Sequence, residues 1–153
     1  MRRHAFDHFE LTRFLPAQER DFARACAELR AGRKTTHWIW YVFPQLESLG
    51  RSSTAKFYGI SGLEEAEAYR EHPVLGPRLD KAAEAALASG ETDPHRLLGS
   101  PDDRKVRSSL TLFLAADPGA LMLRRALDTF YGGVPDAETL KLIGLADLPV
   151  LEI

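Results

Sequence analysis

The chain has 153 residues, 44% of them hydrophobic and 27% charged, with a formal net charge of -2 and a pI of about 6.2. That length suits a single domain, residues 1–153, able to bury a proper core. The charge balance excludes generic attraction to nucleic acid or anionic membrane. The one cysteine, Cys26, cannot close an internal disulfide, which fits a reducing cytoplasm. The chain begins Met-Arg-Arg-His with no apolar run behind it, so neither a signal peptide nor a membrane span is expected.

In chain order, Pro16 opens a helix that carries Phe22, Ala23, Cys26, Ala27 and Leu29 at helical spacing, and Gly32 stands where a C′ glycine would. Thr35 or Thr36 can cap a short helix through Trp38-Ile39-Trp40-Tyr41, which must stop near Phe43 because Pro44 disfavours α geometry in the residue before it. Residues 46–60 are irregular. Phe57-Tyr58-Gly59-Ile60 allows a short extended pass, but two β-rich residues do not make a sheet. Ser61-Gly62-Leu63-Glu64 has the form of a capping box and starts a helix to about Glu71. Pro73 serves as N1 of the next helix, which runs to Gly90. Asp93-Pro94, Ser100-Pro101 and Asp117-Pro118 are cap-then-proline starts, and Asp136 caps a last short helix. Seven or eight short helices with little or no strand predict an all-α fold with irregular orthogonal packing rather than an up-down bundle.

Several chemistries are absent. There is no G-x-x-x-x-G-K-[ST] loop, no G-x-G-x-x-G, no H-E-x-x-H and no G-x-S-x-G elbow. His4 and His8 are four apart and could share a helix face, but two histidines without a third ligand do not make a metal centre, so no metal or other cofactor is predicted. Cys26, on an apolar face, reads as a small buried hydrophobe.

The run Lys34 to Gln45 (K-x-x-H-W-x-W-Y-x-F-P-Q) is followed by Leu49-Gly50-x-Ser52, Tyr58 and Ala68-Tyr69-x-x-His72-Pro73-x-Leu75-Gly76-x-Arg78-Leu79. Asp103-x-Lys105-x-x-Ser108-Ser109-x-Thr111-Leu112-Phe113 and Gly133-x-x-Asp136-x-x-Thr139-Leu140 complete a pattern that also takes in Phe14 and Ala17-Gln18. Together these resemble an uncharacterised bacterial family formerly mislabelled calpastatin-like, a domain of unknown function. The resemblance covers nearly the whole chain. It implies a mainly helical fold and assigns no activity. Val106 and Leu123 stand where Leu and an aromatic are expected, and Arg70 where an apolar residue is usual, departures that touch packing more than chemistry.

The candidate site is read from the residues. Residues three and four apart share a helix face, so His37, Trp40 and Tyr41 form one side of the aromatic helix and Trp38, Tyr41 and Val42 the next. Such a helix is central to the core, with Trp40 deeply buried, or Trp38 or Trp40 walls a pocket for a planar ligand. Lys34 and His37 near its N-terminus favour an anion. His72 could cap carbonyls or titrate near neutrality, and Asp103 could cap the helix that starts at Ser100. Lys105, Ser108 and Ser109 share a helix face, and Gly50-Arg51-Ser52-Ser53 could form an anion-binding turn. Lys34, His37, Trp38, Trp40, Gln45, Ser52, Tyr58, Lys105 and Ser109 are therefore the ligand-binding candidates, with Lys34 and Lys105 expected to converge on one cavity. No nucleophile–base pair is evident and no catalytic residue is assigned. The implied ligand is a small anion, nucleotide- or ADP-ribose-like, the latter by analogy with helical ADP-ribose N-glycosidases whose motifs do not align with this chain. The alternative is a non-catalytic structural or protein-interaction module whose aromatic cluster is core.

Overall fold

Prolines and caps set the start of several helices, and the computed structural model, which describes residues 8–150, shows which of those signals the backbone uses. A 3-10 turn over Leu11–Phe14 leads into α1 (Leu15–Arg30), with Pro16 in its first turn; Gly32, at φ +84°, follows the helix end in the left-handed geometry expected of it. Then come α2 (Ile39–Val42), a 3-10 turn at Glu47–Leu49, α3 (Ser53–Phe57), α4 (Leu63–Glu71) and α5 (Leu75–Ala88). The chain continues through α6 (Pro94–Leu98), α7 (Asp102–Ala116), α8 (Leu121–Tyr131) and α9 (Ala137–Leu142). The fold is all-α. Nine α-helices lie among the described residues, more than the seven or eight expected, because α2, α3 and α6 are single turns too short to show a periodic stripe. The extended pass exists as one parallel bridge, Leu46 with Ile60, and not as a strand. Among the described residues, no helix is long and apolar enough to cross a membrane.

The core is assembled from faces, not from a repeating bundle. α1 packs on α5, α5 on α8, and α7 receives α4, α8 and α9. Phe14, Trp38, Tyr69 and Phe113 are fully buried at the centre. Tyr69 meets the Phe14 ring edge-on at 5.2 Å and the Phe113 ring at 4.9 Å, the geometries aromatic quadrupoles favour. Its hydroxyl accepts from the Gln18 amide, which also donates to the Tyr41 carbonyl at 2.7 Å, so these two buried side chains satisfy each other. Cys26 is buried on α1.

Several cap assignments are corrected by the structure. Thr35 and Thr36 do not cap α2; their backbone N–H groups donate to the Glu28 carboxylate at 2.7 and 2.9 Å. The capping box at Ser61 is shifted by one residue, because the Ser61 N–H donates to Glu65, not Glu64, and Arg13 also pairs with Glu65 at 2.7 Å. Ser100 caps nothing at α7; Pro101, after a cis peptide bond, precedes the helix, and Asp103 accepts from the Arg104 N–H in its first turn. Asp117 turns away from α8 to pair with Arg70 at 3.2 Å. Pro73 lies before α5 and is not its N1 residue; His72 Nδ1 accepts from the N–H groups of Val74 and Leu75 at 3.1 and 3.2 Å, and so caps donors, not carbonyls. Asp93 and Asp136 cap α6 and α9 as expected. At Thr35 and Thr36, at Glu65 and at Asp117, a partner from elsewhere in the fold, Glu28, Arg13 or Arg70, engages the group. His4 lies outside the described residues.

Candidate functional site

The two tryptophans part company. Trp38 is fully buried, and its indole N–H donates to Glu28 at 3.0 Å. The same carboxylate takes the Thr36 hydroxyl at 2.5 Å besides the two backbone donors already described. Burial alone would push the Glu28 carboxyl up; the hydrogen bonds from Thr36, Trp38 and the two backbone N–H groups outweigh it and bring it down to about 2. Trp38 is thus a core residue and offers no face to a ligand. Trp40, expected to be deeply buried, is only partly so and packs on the edge of the core.

Each tryptophan has a lysine beside it, with Lys34 Nζ 5.2 Å from the Trp38 ring centre and Lys105 Nζ 5.8 Å from that of Trp40. The two lysines were expected on one cavity; what they share is a carboxylate, and only Lys105 lines the cleft described below. Asp102 Oδ2 lies 2.8 Å from Lys34 Nζ, and its Oδ1 lies 3.8 Å from Lys105 Nζ. A backbone bond from the Lys34 N–H to the Leu97 carbonyl at 2.7 Å anchors this arrangement to α6.

Lys105 also lines a cleft of about 630 Å³ that opens between residues 45–55 and the first turns of α7, with α9 at its rim. Gln45 and Ser52 share it, and Arg51 and Arg104 reach it as exposed guanidiniums without an ion-pair partner among the described residues. Local structure explains the placement. The Gln45 carbonyl accepts the Ile60 N–H at 2.9 Å, which ties the 45–60 segment back on itself; the Gln45 side chain has no hydrogen bond among the described residues. Ser52 Oγ accepts the Ala55 N–H at 3.1 Å as the cap of α3. On the far rim, the Asp136 N–H donates to Thr111 Oγ1 at 2.9 Å, and this carries Asp136 and Glu138 to the cleft.

The other candidates lie apart from it. His37 is exposed on the approach to α2 and lines no part of the cleft. Tyr58 packs against Phe14, Tyr41 and Phe57, with ring centres 5.7, 5.2 and 4.8 Å away. Ser109 is fully buried on α7, and its hydroxyl has no hydrogen-bond partner among the described residues. Trp40 lines a side pocket that shares Gln45, Ala55 and Lys105 with the cleft but has room, at about 10 Å³, for about one water and not for a planar ring. Trp40 therefore supports Lys105 from behind and does not wall the cleft. The structure adds Asp102, Arg104 and the acidic rim, Asp136 and Glu138. Asp102 was legible as an acid three residues before Lys105 in a helix's first turn. Arg104, in the same run, carried no distinguishing signal.

Among the comparisons, a family model described as "Protein of unknown function (DUF1810)" matches residues 8–143. The crystal structure of the conserved hypothetical protein Rv1873 from Mycobacterium tuberculosis is 43% identical and superposes with a TM-score of 0.86. The match covers 90% of this chain and 99% of that one. No curated protein matches the chain.

Proposed function

Starting from the membership of this chain in the DUF1810 family of proteins of unknown function, we propose that it is a small-ligand-binding domain whose cleft takes a phosphate-bearing anion of about nucleotide size. The observation that carries this reading is the meeting of Gln45 and Ser52, from the 45–55 segment, with Lys105 of α7 and with Arg51 and Arg104, which have no ion-pair partner among the described residues, on one cleft. Guanidinium groups hold phosphate oxygens in pairs, and Gln45 has a free amide to orient a neutral part of the ligand. The cleft volume falls within the usual span of small-molecule sites, roughly 300–1,000 Å³. Asp136 and Glu138 across the cleft disfavour an anion that fills it entirely and favour one with a charged end and a hydroxylated body, such as a sugar phosphate or nucleotide.

Binding without chemistry suits the groups present. Ser52 Oγ is engaged as a helix cap and Ser108 Oγ donates to the Arg104 carbonyl at 3.2 Å, so neither hydroxyl is set beside a base. The test is a thermal-shift screen over nucleotides, sugar phosphates and pyrophosphate. A ligand at 100 times its Kd should add roughly 2.7 kcal/mol, and the Arg51→Ala/Arg104→Ala variant should lose that shift at an unchanged ligand-free Tm. No shift from any member of the panel would count against the reading. A second reading, a structural module whose aromatic cluster is core, is favoured by Trp38, whose ring and N–H are both consumed inside the protein.

A further inference from the structure

Lys34 does not line the cleft, yet it sits one carboxylate away from a lysine that does. We propose that Lys34 is a positioning residue for the anion site: it neutralises Asp102 so that the charge of Lys105 is left for the ligand. This rests on the reading of the cleft as an anion site.

The distances carry the inference. Lys34 Nζ is 2.8 Å from Asp102 Oδ2, the length of a charge-assisted hydrogen bond. Lys105 Nζ is 3.8 Å from the other oxygen, too far for a hydrogen bond. The two lysines also differ in freedom. The Lys34 side chain is 7% exposed, its backbone N–H is pinned to Leu97 and the Trp38 ring lies beside its amine. It has no other acidic partner among the described residues. The Lys105 side chain is 26% exposed and lines the cleft. One carboxylate thus stands between two ammonium groups, and the buried one holds it. Without Lys34, Asp102 would turn its charge on Lys105 from three residues away on α7, a spacing at which opposite charges pair well. The cleft would then hold one fewer free cation. Asp102 in the first turn of α7 also meets the positive end of the helix dipole. That explains an acid at this position but not a nearly buried lysine against it.

The experiment compares wild type with Lys34→Met, Lys34→Arg, Asp102→Asn and the double variant Lys34→Met/Asp102→Asn. Two measurements are made on each: pyrophosphate affinity by titration calorimetry at low salt, and the rate at which acetic anhydride labels the Lys105 amine, read by peptide mapping without ligand. Lys34→Met should weaken pyrophosphate about three- to tenfold, the scale of one unit charge at a partly screened distance. It should also slow labelling of Lys105, since an amine held against a carboxylate is less open to the reagent. Lys34→Arg should keep both near wild type. Asp102→Asn should tighten pyrophosphate, and the double variant should restore both readouts even if its Tm remains lowered. A merely structural Lys34 would give loss in Lys34→Met without rescue in the double variant, and that pattern overturns the inference. Unchanged Lys105 labelling in Lys34→Met overturns it as well. Failure of wild type to bind pyrophosphate with the labelling pattern intact would instead strike the anion-site reading, and with it the purpose assigned here to Lys34.

Discussion

Residue by residue, the aromatic run divides into a core half and a boundary half, and the difference is measurable. Trp38 is fully buried with its N–H satisfied, whereas Trp40 lies at the edge of the core. Trp38→Ala should therefore cost about 3–5 kcal/mol, the range for truncating a large core aromatic, and Trp40→Ala clearly less. Urea unfolding of the two variants checks the ranking, and equal losses would contradict it. Glu28 is the second residue with a definite expectation. Its carboxyl lies near 2 in the folded protein against an ordinary value of 4.5, because its four donors need the charged form. A depressed carboxyl contributes stability above its unfolded value that disappears as pH falls through the folded one. Wild type should therefore lose Tm between about pH 4.5 and 2, and Glu28→Gln should lose less over that window while starting from a lower Tm. A scan of Tm against pH on both proteins decides it. Neither property was readable in the run itself, since helical spacing puts a tryptophan on either face and only the partner on α1 shows which face is inward.

Among the elements, the junction of α4 and α5 shows how closely two helices can be set by one missing side chain. A Cβ on Gly76 would lie 2.3 Å from the Arg70 carbonyl oxygen, a contact that backbone movement alone could relieve. The same corner holds Arg70, whose guanidinium donates to the Gly76 carbonyl at 2.9 Å and pairs with Asp80 at 3.0 Å and Asp117 at 3.2 Å. Arg70, which departs from the family pattern, is thus the tie between α4, α5 and the end of α7. Gly76→Ala should destabilise by about 1–3 kcal/mol, the usual cost of forcing atoms into packed structure. A denaturation midpoint unchanged from wild type would show that the corner yields more readily than the geometry states. The capping signals at this scale were legible where the cap had no competitor, as at Asp93 and Asp136. They misled where a distant arginine or carboxylate claimed the group, as with Asp117 and Thr36.

For the molecule as a whole, the helices share one contiguous set of buried side chains that runs from Leu11 to Leu148. A single domain should then unfold in one step. Tryptophan fluorescence, which reports the α2 region, and far-UV circular dichroism, which reports all the helices, should give coincident urea transitions. Separated midpoints would divide the chain into two units. Much of the fold was legible before any coordinates, because helix type follows from local periodicity and from proline and glycine constraints that act within a few residues. Of the six polar residues expected on one cavity because polar groups beside large apolar ones must pair or face one, Gln45, Ser52 and Lys105 line the cleft, and Lys34, His37 and Tyr58 do not. The sequence by itself therefore determined an all-α fold and most of the helix positions. Only the tertiary structure decided that Trp38 is core, that His37 and Tyr58 stand away from the cleft, and that Asp102 lies between the two lysines. Those facts depend on contacts between segments tens of residues apart, where Coulomb and packing energies are set by distances that no local pattern records.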